Sequence, residues 1–326
     1  MRINLYDENL KRTAIIGGQF LSVFWSEGYN TVEPFSLEIR ETEDLKKKIR
    51  PECYIGRDDR KTLMVIKTVK VEHGIITATG KQAVRCLDDV PFVGTIDKDL
   101  PVERSIREAF SSGGGYAGFE FDGNDPGITY GHQISNKSVL KLMLTMCQET
   151  DLGFRAIRQN GRILVGFYRP EEKPNLRFSE AYGNMALDRL LLSTENLKNH
   201  AIVLGAGEGE QRTRAEVDQS GGGRKLSLIV DARDITREEN DTDESYQEKL
   251  EARGAEKLRE RTKTWECAFT PLASLFGEKY DLGDILTVIL PEYGLKLKSR
   301  VSRFTQTEQN NQMNTTIEVG EITIVR

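Results

Sequence analysis

The sequence predicts a mainly β protein with α+β character: two β-barrel-like modules, an inserted small α/β domain and a connecting helix. Three observations carry that expectation. Short runs rich in branched and aromatic residues recur over 1–97 and again after 260, at strand length and with period-two alternation. The segment between them carries its own helical pattern and a tight hairpin. The stretch Ala201–Asp231 is an apolar strand entering a glycine turn, with polar/apolar alternation on the far side. A length of 326 residues predicts about two or three domains. The expected boundaries are 1–97 for an N-terminal barrel completed by 196–235, 98–195 for the inserted domain, and 236–326 for the helix with the second barrel.

The first module reads as six strands around Ile3–Leu5, Thr13–Ile16, Phe20–Trp25, Phe35–Arg40, Leu63–Val71 and Ile75–Ala78, with His73-Gly74 turning between the last two. A short helix fits Thr42–Ile49: Thr42 caps it, Glu43 and Asp44 suit its first turn, Lys46–Lys48 its last, and Pro51 stops it. Next, Pro101–Phe110 predicts a helix halted by Gly113–Gly115. Asn136 is expected to cap a second helix, Lys137–Thr150, apolar around most of its circumference and therefore buried. Asn160-Gly161 between the alternating runs Phe154–Arg158 and Ile163–Tyr168 is the clearest hairpin signal in the chain. This middle piece should end near Pro174, with Leu187–Leu197 leading back. A charged linker, Asp231–Asp241, precedes a helix near Asp243–Arg261. Its acidic residues lie in its first half and its basic residues in its last turn, matching the helix dipole. Strands then follow at Trp265–Phe269, Ile285–Leu290, Leu295–Phe304, Thr315–Val319 and Glu321–Val325, with a turn at Pro291–Gly294.

Composition excludes several classes of function. A net charge of −5 with both signs interspersed argues against a surface built to wrap nucleic acid. Cys53, Cys86, Cys147 and Cys267 are far apart and form no C-x-x-C pair, so they read as reduced, buried thiols rather than a zinc site or a disulfide framework. Charges at Arg2, Asp7, Glu8, Lys11 and Arg12 rule out a signal peptide at this start, and no apolar run is long enough to span a bilayer.

No constellation of residues carries catalysis. Gly205, Gly207 and Gly209 invite a dinucleotide reading, but the last glycine of G-x-G-x-x-G is replaced by Glu210, no helix follows, and Glu208 would repel a pyrophosphate. His73, His132 and His200 lie in three segments without a partner at motif spacing and read as surface or loop residues. Asp122–Asp125 and Asp241–Glu244 look superficially like calcium loops. The first lacks the spaced ligands and the distal Glu, and the second serves better as a helix cap. No pair of carboxylates is singled out for glycoside cleavage. The sequence therefore assigns no catalytic residue, no cofactor and no metal site.

In the order of its modules the chain resembles the tail hub proteins of tailed phages and prophages, which include siphophage tail-associated proteins and the baseplate hubs of contractile tails. Trp25 with Phe35–Ile39 is similar to that family's early aromatic strand pair, departing from it at Pro34. Thr79–Leu87 resembles a strand-end glycine leading to a turn, and Ala201–Gly209 with Arg212-Thr213 resembles the glycine-rich turn after the middle domain. The helix through Tyr246, Leu250, Gly254 and Leu258, with Tyr280–Val288, resembles the final module. The resemblance implies a non-enzymatic virion protein, assembled in the host bacterial cytoplasm into the tail. Three subunits, each with two similar barrels, would close a six-fold tube as a homotrimeric ring. The implied neighbours are the distal tail or tail tube protein, the tape measure protein, and a spike, fibre or tip protein. DNA would cross the lumen without specific binding, and the chain would not enter a membrane. Since Arg326 follows the last strand, no C-terminal lysis or fibre domain is expected. The rival readings are a tail-associated cell-wall or polysaccharide hydrolase and a monomeric carbohydrate-binding β-protein.

Overall fold

Alternation builds the sheet first. In Pro34–Arg40 the residues Phe35, Leu37 and Ile39 are buried while Pro34 and Arg40 face solvent, because successive side chains of a strand point to opposite faces. A computed structural model describes residues 1–96, 100–130, 134–237, 242–271 and 275–324. The chain opens with β1 (Arg2–Tyr6), β2 (Arg12–Gly17), β3 (Phe20–Gly28), β4 (Pro34–Arg40), helix α1 (Glu43–Lys48), β5 (Tyr54–Arg57), β6 (Arg60–Glu72), β7 (Ile75–Gln82) and β8 (Pro91–Ile96). Helix α2 (Val102–Ser112), β9 (Phe119–Phe121), β10 (Ile134–Ser138), α3 (Val139–Thr150), β11 (Gly153–Gln159), β12 (Arg162–Tyr168), β13 (Glu172–Phe178) and β14 (Met185–Ser193) follow. Then come β15 (His200–Leu204), β16 (Arg214–Asp218), β17 (Ser227–Asp231), α4 (Asp243–Arg259), β18 (Thr264–Pro271), β19 (Ile285–Leu290), β20 (Leu295–Gln309) and β21 (Gln312–Ile324).

The chain divides into two compact units, Met1–Arg189 with Cys267–Arg326, and Leu190–Glu266. In the first, a large sheet runs in the order β18-β21-β20-β3-β4-β7-β6-β11-β12-β9, with β5, β1 and β2 branching from β6, and β19 and β13 from β20. One apolar core gathers Tyr6, Tyr54 and Val65 from the early strands, Ile106 from α2, Met143 from α3, and Phe154 and Val165 from the β11–β12 hairpin. Each such fully buried side chain contributes roughly 1.5–3 kcal/mol. The fold is mainly β, as the alternation predicts, but no described set of strand pairs closes into a barrel.

Three expected boundaries are corrected. Residues 98–195 do not stand apart as an inserted domain: α2, α3 and the β11–β12 hairpin share the core of the first strands, and β11 pairs with β6 at Ile157 and Thr62. The segment 196–235 does not complete the N-terminal module. Its strands form their own sheet, β16-β15-β17, antiparallel on one side of β15 and parallel on the other. Helix α4 belongs with that small sheet, while the strands after it join the large sheet where β20 pairs β3. The physical reason is common to all three: alternation marks a strand's faces and says nothing about its partner.

Local signals fared better. Thr42 caps α1 and Thr242 caps α4 through their side chains. His73-Gly74 and Asn160-Gly161 both turn with positive φ at each residue, as a two-residue hairpin of this type requires. The buried helix begins later than expected, at Val139 with Ser138 as its cap, because Lys137 pairs with Phe92 of β8 and Asn136, bulged beside it in β10, accepts from the Gly94 amide. Strands β13 and β14, in a stretch expected to end one module and lead into the next, went unread in the sequence.

Candidate functional site

Two polar clusters are built into the fold, one in each unit. In the first, β3 places Trp25 and Glu27 two residues apart on one face, both almost wholly buried. Opposite, β6 begins with Arg60 and Thr62. The Glu27 carboxylate accepts from Arg60 Nε and Trp25 Nε1 on one oxygen and from Arg60 Nη2 and Thr62 Oγ1 on the other, all at 2.8 Å. The Arg60 guanidinium lies against the rings of Phe276 and Phe304, which stack with centroids 4.4 Å apart. Burial by itself would push the Glu27 carboxyl up, but the charge and hydrogen bonds of Arg60, with those of Trp25 and Thr62, outweigh it and hold the group below its ordinary value. A second arginine, Arg57, packs over Trp25 and bonds Asp59 and Gln306.

A cavity of ≈ 540 Å³ adjoins this cluster, lined among others by Glu27, Arg60, Tyr168, Phe276 and Gln306. Of its charged residues, Glu27 and Arg60 are committed to each other. With four donors on Glu27, the carboxylate has no free lone-pair direction with which to take a proton from a substrate. The cluster fastens β3 and β6 to β20 and the Phe276 segment.

The second unit uses its glycine turn the same way. The Ala206 amide donates to the Tyr246 hydroxyl, which donates in turn to the Ile235 carbonyl. Arg212 donates to the carbonyls of Gly205 and Leu204 and to the Asp231 carboxylate. A Cβ at Gly205 would come within 2.7 Å of the Tyr246 hydroxyl, so the glycine is there to let α4 approach, not to cradle a phosphate. Above that turn, His200 bridges two strands: its Nδ1 lies 2.9 Å from Ser227 Oγ and its Nε2 2.5 Å from Glu216 Oε1. Glu216 also receives Lys225, which reaches Asp218 as well. The hydrogen bonds of His200 and Lys225 lower the Glu216 carboxyl, and those of Ser220 and Lys225 lower Asp218.

Serine, histidine and glutamate in a row invite comparison with a hydrolytic triad, and the geometry argues against it. A triad places the carboxylate on Nδ1 and the nucleophile on Nε2, and here the two are exchanged. All three residues sit in adjacent register across a sheet, and none lines the cavities of ≈ 540, ≈ 830 or ≈ 270 Å³. The chain of hydrogen bonds ties β16 and β17 to the central strand.

Residues 123–321 match the family described as Siphovirus ReqiPepy6 Gp37-like protein. The chain belongs to this family. No curated protein matches it in sequence. Among solved structures it is similar to the 43 kDa tail protein of prophage MuSo2 from Shewanella oneidensis, with a TM-score of 0.62 and 14% identity over 98% of each chain. It is similar also to the tail protein from Neisseria meningitidis MC58, with a TM-score of 0.57 and 12% identity over 98% of this chain and 96% of that one. A chain of the phage P2 baseplate in its activated conformation with Ca matches with a TM-score of 0.51 and 10% identity, over 98% and 99%. These likenesses span the chain end to end and establish a shared fold. They agree with the resemblance to phage and prophage tail proteins drawn from the sequence.

The residues weighed from the sequence fall in separate places. His73 is exposed in its turn. His132 and Asp241 lie outside the described residues. His200 corrects the expectation of a surface histidine: it is only 4% exposed, because its sheet neighbours close over it. Asp122 and Asp125 bond the amides two residues ahead of them, as turn residues do. All four cysteines are free and buried. Among the described residues no group of three or more His, Cys, Asp or Glu is arranged to hold a metal ion. What the sequence analysis missed is Glu27 with Arg60. One signal was available: in an alternating strand, Glu27 shares the face of Trp25, and a carboxylate on an inward face calls for a buried cation.

Proposed function

We propose that this protein is a structural component of a virion tail, acting as the hub that closes the end of the tail tube. In this reading three copies form a ring, each contributing two strand-rich modules, so that six face a six-fold tube. The distal tail or tube protein and the tape measure protein lie on one side, and a spike, fibre or tip protein on the other. The observation that supports it most is the family match over 123–321, joined to an end-to-end fold shared with prophage tail proteins and a baseplate chain. The role proposed is not catalytic, and the polar clusters support that, since each is spent on joining strands. A net charge of −5 supports passage of DNA without retention, because a lumen rich in Lys and Arg would release counterions and hold the phosphates.

The test is mass in solution at high protein concentration, alone and with the distal tail protein, because a ring of this kind can depend on its neighbours. A trimer in either condition is the expected result. A monomer in both, or tight salt-sensitive binding to duplex DNA, overturns the hub. Reproducible hydrolysis of cell wall or glycan, lost on changing one carboxylate, overturns the structural role.

A further inference from the structure

We propose that the groove between the β8–β10 ribbon and the first turns of α3 is a docking site for an acidic, amphipathic segment of another protein in the tail. The groove has a volume of ≈ 830 Å³, and its apolar residues are Pro91, Phe92 and Val93 from β8 and Leu144 from α3. Val93 is 87% exposed, a large apolar side chain held out in solvent on a ribbon in which Pro91, Phe92, Thr95 and Ile96 pair with β10 on either side of it. The ribbon is irregular in a way that fixes this display. Its register shifts between Ser135 and Lys137, Asn136 has φ +50°, and the Asn136 side chain accepts from the Gly94 amide at 3.2 Å. The surface is therefore formed in advance of any partner, which lowers the ordering cost of binding.

The charge around the groove selects the partner. Lys137 and Lys141 line it, are exposed, and form no ion pair with any described residue. Two carboxylates line the groove as well, Asp88 and Asp89, but Arg85 lies 3.5 Å from the first and 3.3 Å from the second and Ser138 Oγ donates to Asp88, so three cations meet two carboxylates at this rim. The first turn of α3 adds the positive end of a helix dipole at the same rim. An apolar floor beside two unpaired lysines and a net positive rim fits a segment that alternates apolar residues with Asp or Glu, with its apolar side on Val93 and Leu144 and its carboxylates on the lysines. Such a partner covers Val93 and neutralises both cations, which a small anion at the lysines does not.

This inference rests on the tail reading, and the experiment separates the two. The chain is produced with Val93→p-benzoylphenylalanine in the cells that make the particle, and tails are purified, irradiated and analysed by mass spectrometry. The same substitution at Val71, 46% exposed in β6, serves as the control. The expected product is a crosslink from position 93, absent from position 71, to an acidic apolar segment of a different tail protein. Lys137→Glu with Lys141→Glu is expected to lower its yield about tenfold, as like charges meet across the rim. If the chain is absent from purified tails, the tail reading fails. If it is present but position 93 crosslinks to a second copy of itself, to a basic segment or to nothing, the docking site is overturned. A yield unchanged by the lysine reversals overturns the charge argument.

Discussion

The two units solve the same problem, holding strands in register, with opposite use of charge. The large unit buries an ion pair. Glu27 and Arg60 are shielded from water by Trp25, Phe276 and Phe304, so each depends on the other for its solvation. The small unit keeps its charges at the surface and joins helix to sheet through small residues. Gly254 of α4 faces Val203, Val217 and Ala201, and a Cβ there would meet Val203 at 2.7 Å. The difference shows where each unit is vulnerable. A buried pair fails when one member is lost, whereas a close-packed helix fails when volume is added.

The sharpest way to break this comparison is Arg60→Met. Leaving the Glu27 carboxylate buried and uncompensated should cost about 3–5 kcal/mol, read from denaturant unfolding. Glu27→Leu combined with Arg60→Met should recover most of that loss, because both side chains would then match their apolar surroundings. A double variant as unstable as the single one would show that the pair contributes more than mutual solvation. The same pair sets an acid limit. The folded Glu27 carboxyl titrates below its unfolded value, so its contribution is complete above the ordinary value of 4.5 and disappears as pH falls through the lower folded one. Hydrogen exchange followed from pH 6 downwards should therefore show β3 and β6 losing protection only below the ordinary carboxyl range. Loss of protection near neutrality would contradict the assignment.

Smaller effects are expected in the small unit. Gly254→Val should cost about 1–3 kcal/mol by overpacking. The loss should appear as faster hydrogen exchange in β15, β16 and α4, with the large unit unaffected. His200→Ala should cost about 1 kcal/mol through its lost bonds to Ser227 and Glu216. His73→Ala should leave the thermal midpoint unchanged, which separates a strand-bridging histidine from an exposed one. Lys225→Ala is expected to have the least effect, since its pairs with Glu216 and Asp218 lie in water and are screened by salt. A clear drop in the midpoint for this variant would show that the surface charges of the small sheet act as a network.

Much of the fold was legible at short range. The cap Thr42, the capping stretch Asp241–Glu244 in which Thr242 is the cap, the turns His73-Gly74 and Asn160-Gly161, and the alternation of β4 all rest on chemistry within a few residues, which the tertiary fold did not override. The resemblance to phage tail proteins was legible too, since it rests also on local stretches such as Trp25 with Phe35–Ile39 and the glycine turn of Ala201–Gly209. The candidate sites were not. No motif singled out Glu27, and His200 read as a surface or loop histidine, because burial depends on what arrives from elsewhere in the chain.

The sequence by itself determined the mainly β class, most of the strands, the helix starts at Thr42 and within Asp241–Glu244, and the absence of a dinucleotide fingerprint at Gly205–Glu210. Tertiary structure alone decided that Phe304 lies opposite Glu27, that the strands between His200 and Asp231 pair with one another under α4, and that Asn136 and Lys137 extend a strand instead of opening a helix. A period of two tells each strand which face to bury. The choice of neighbour is made by packing and hydrogen bonding between segments far apart in sequence, where no local pattern reaches.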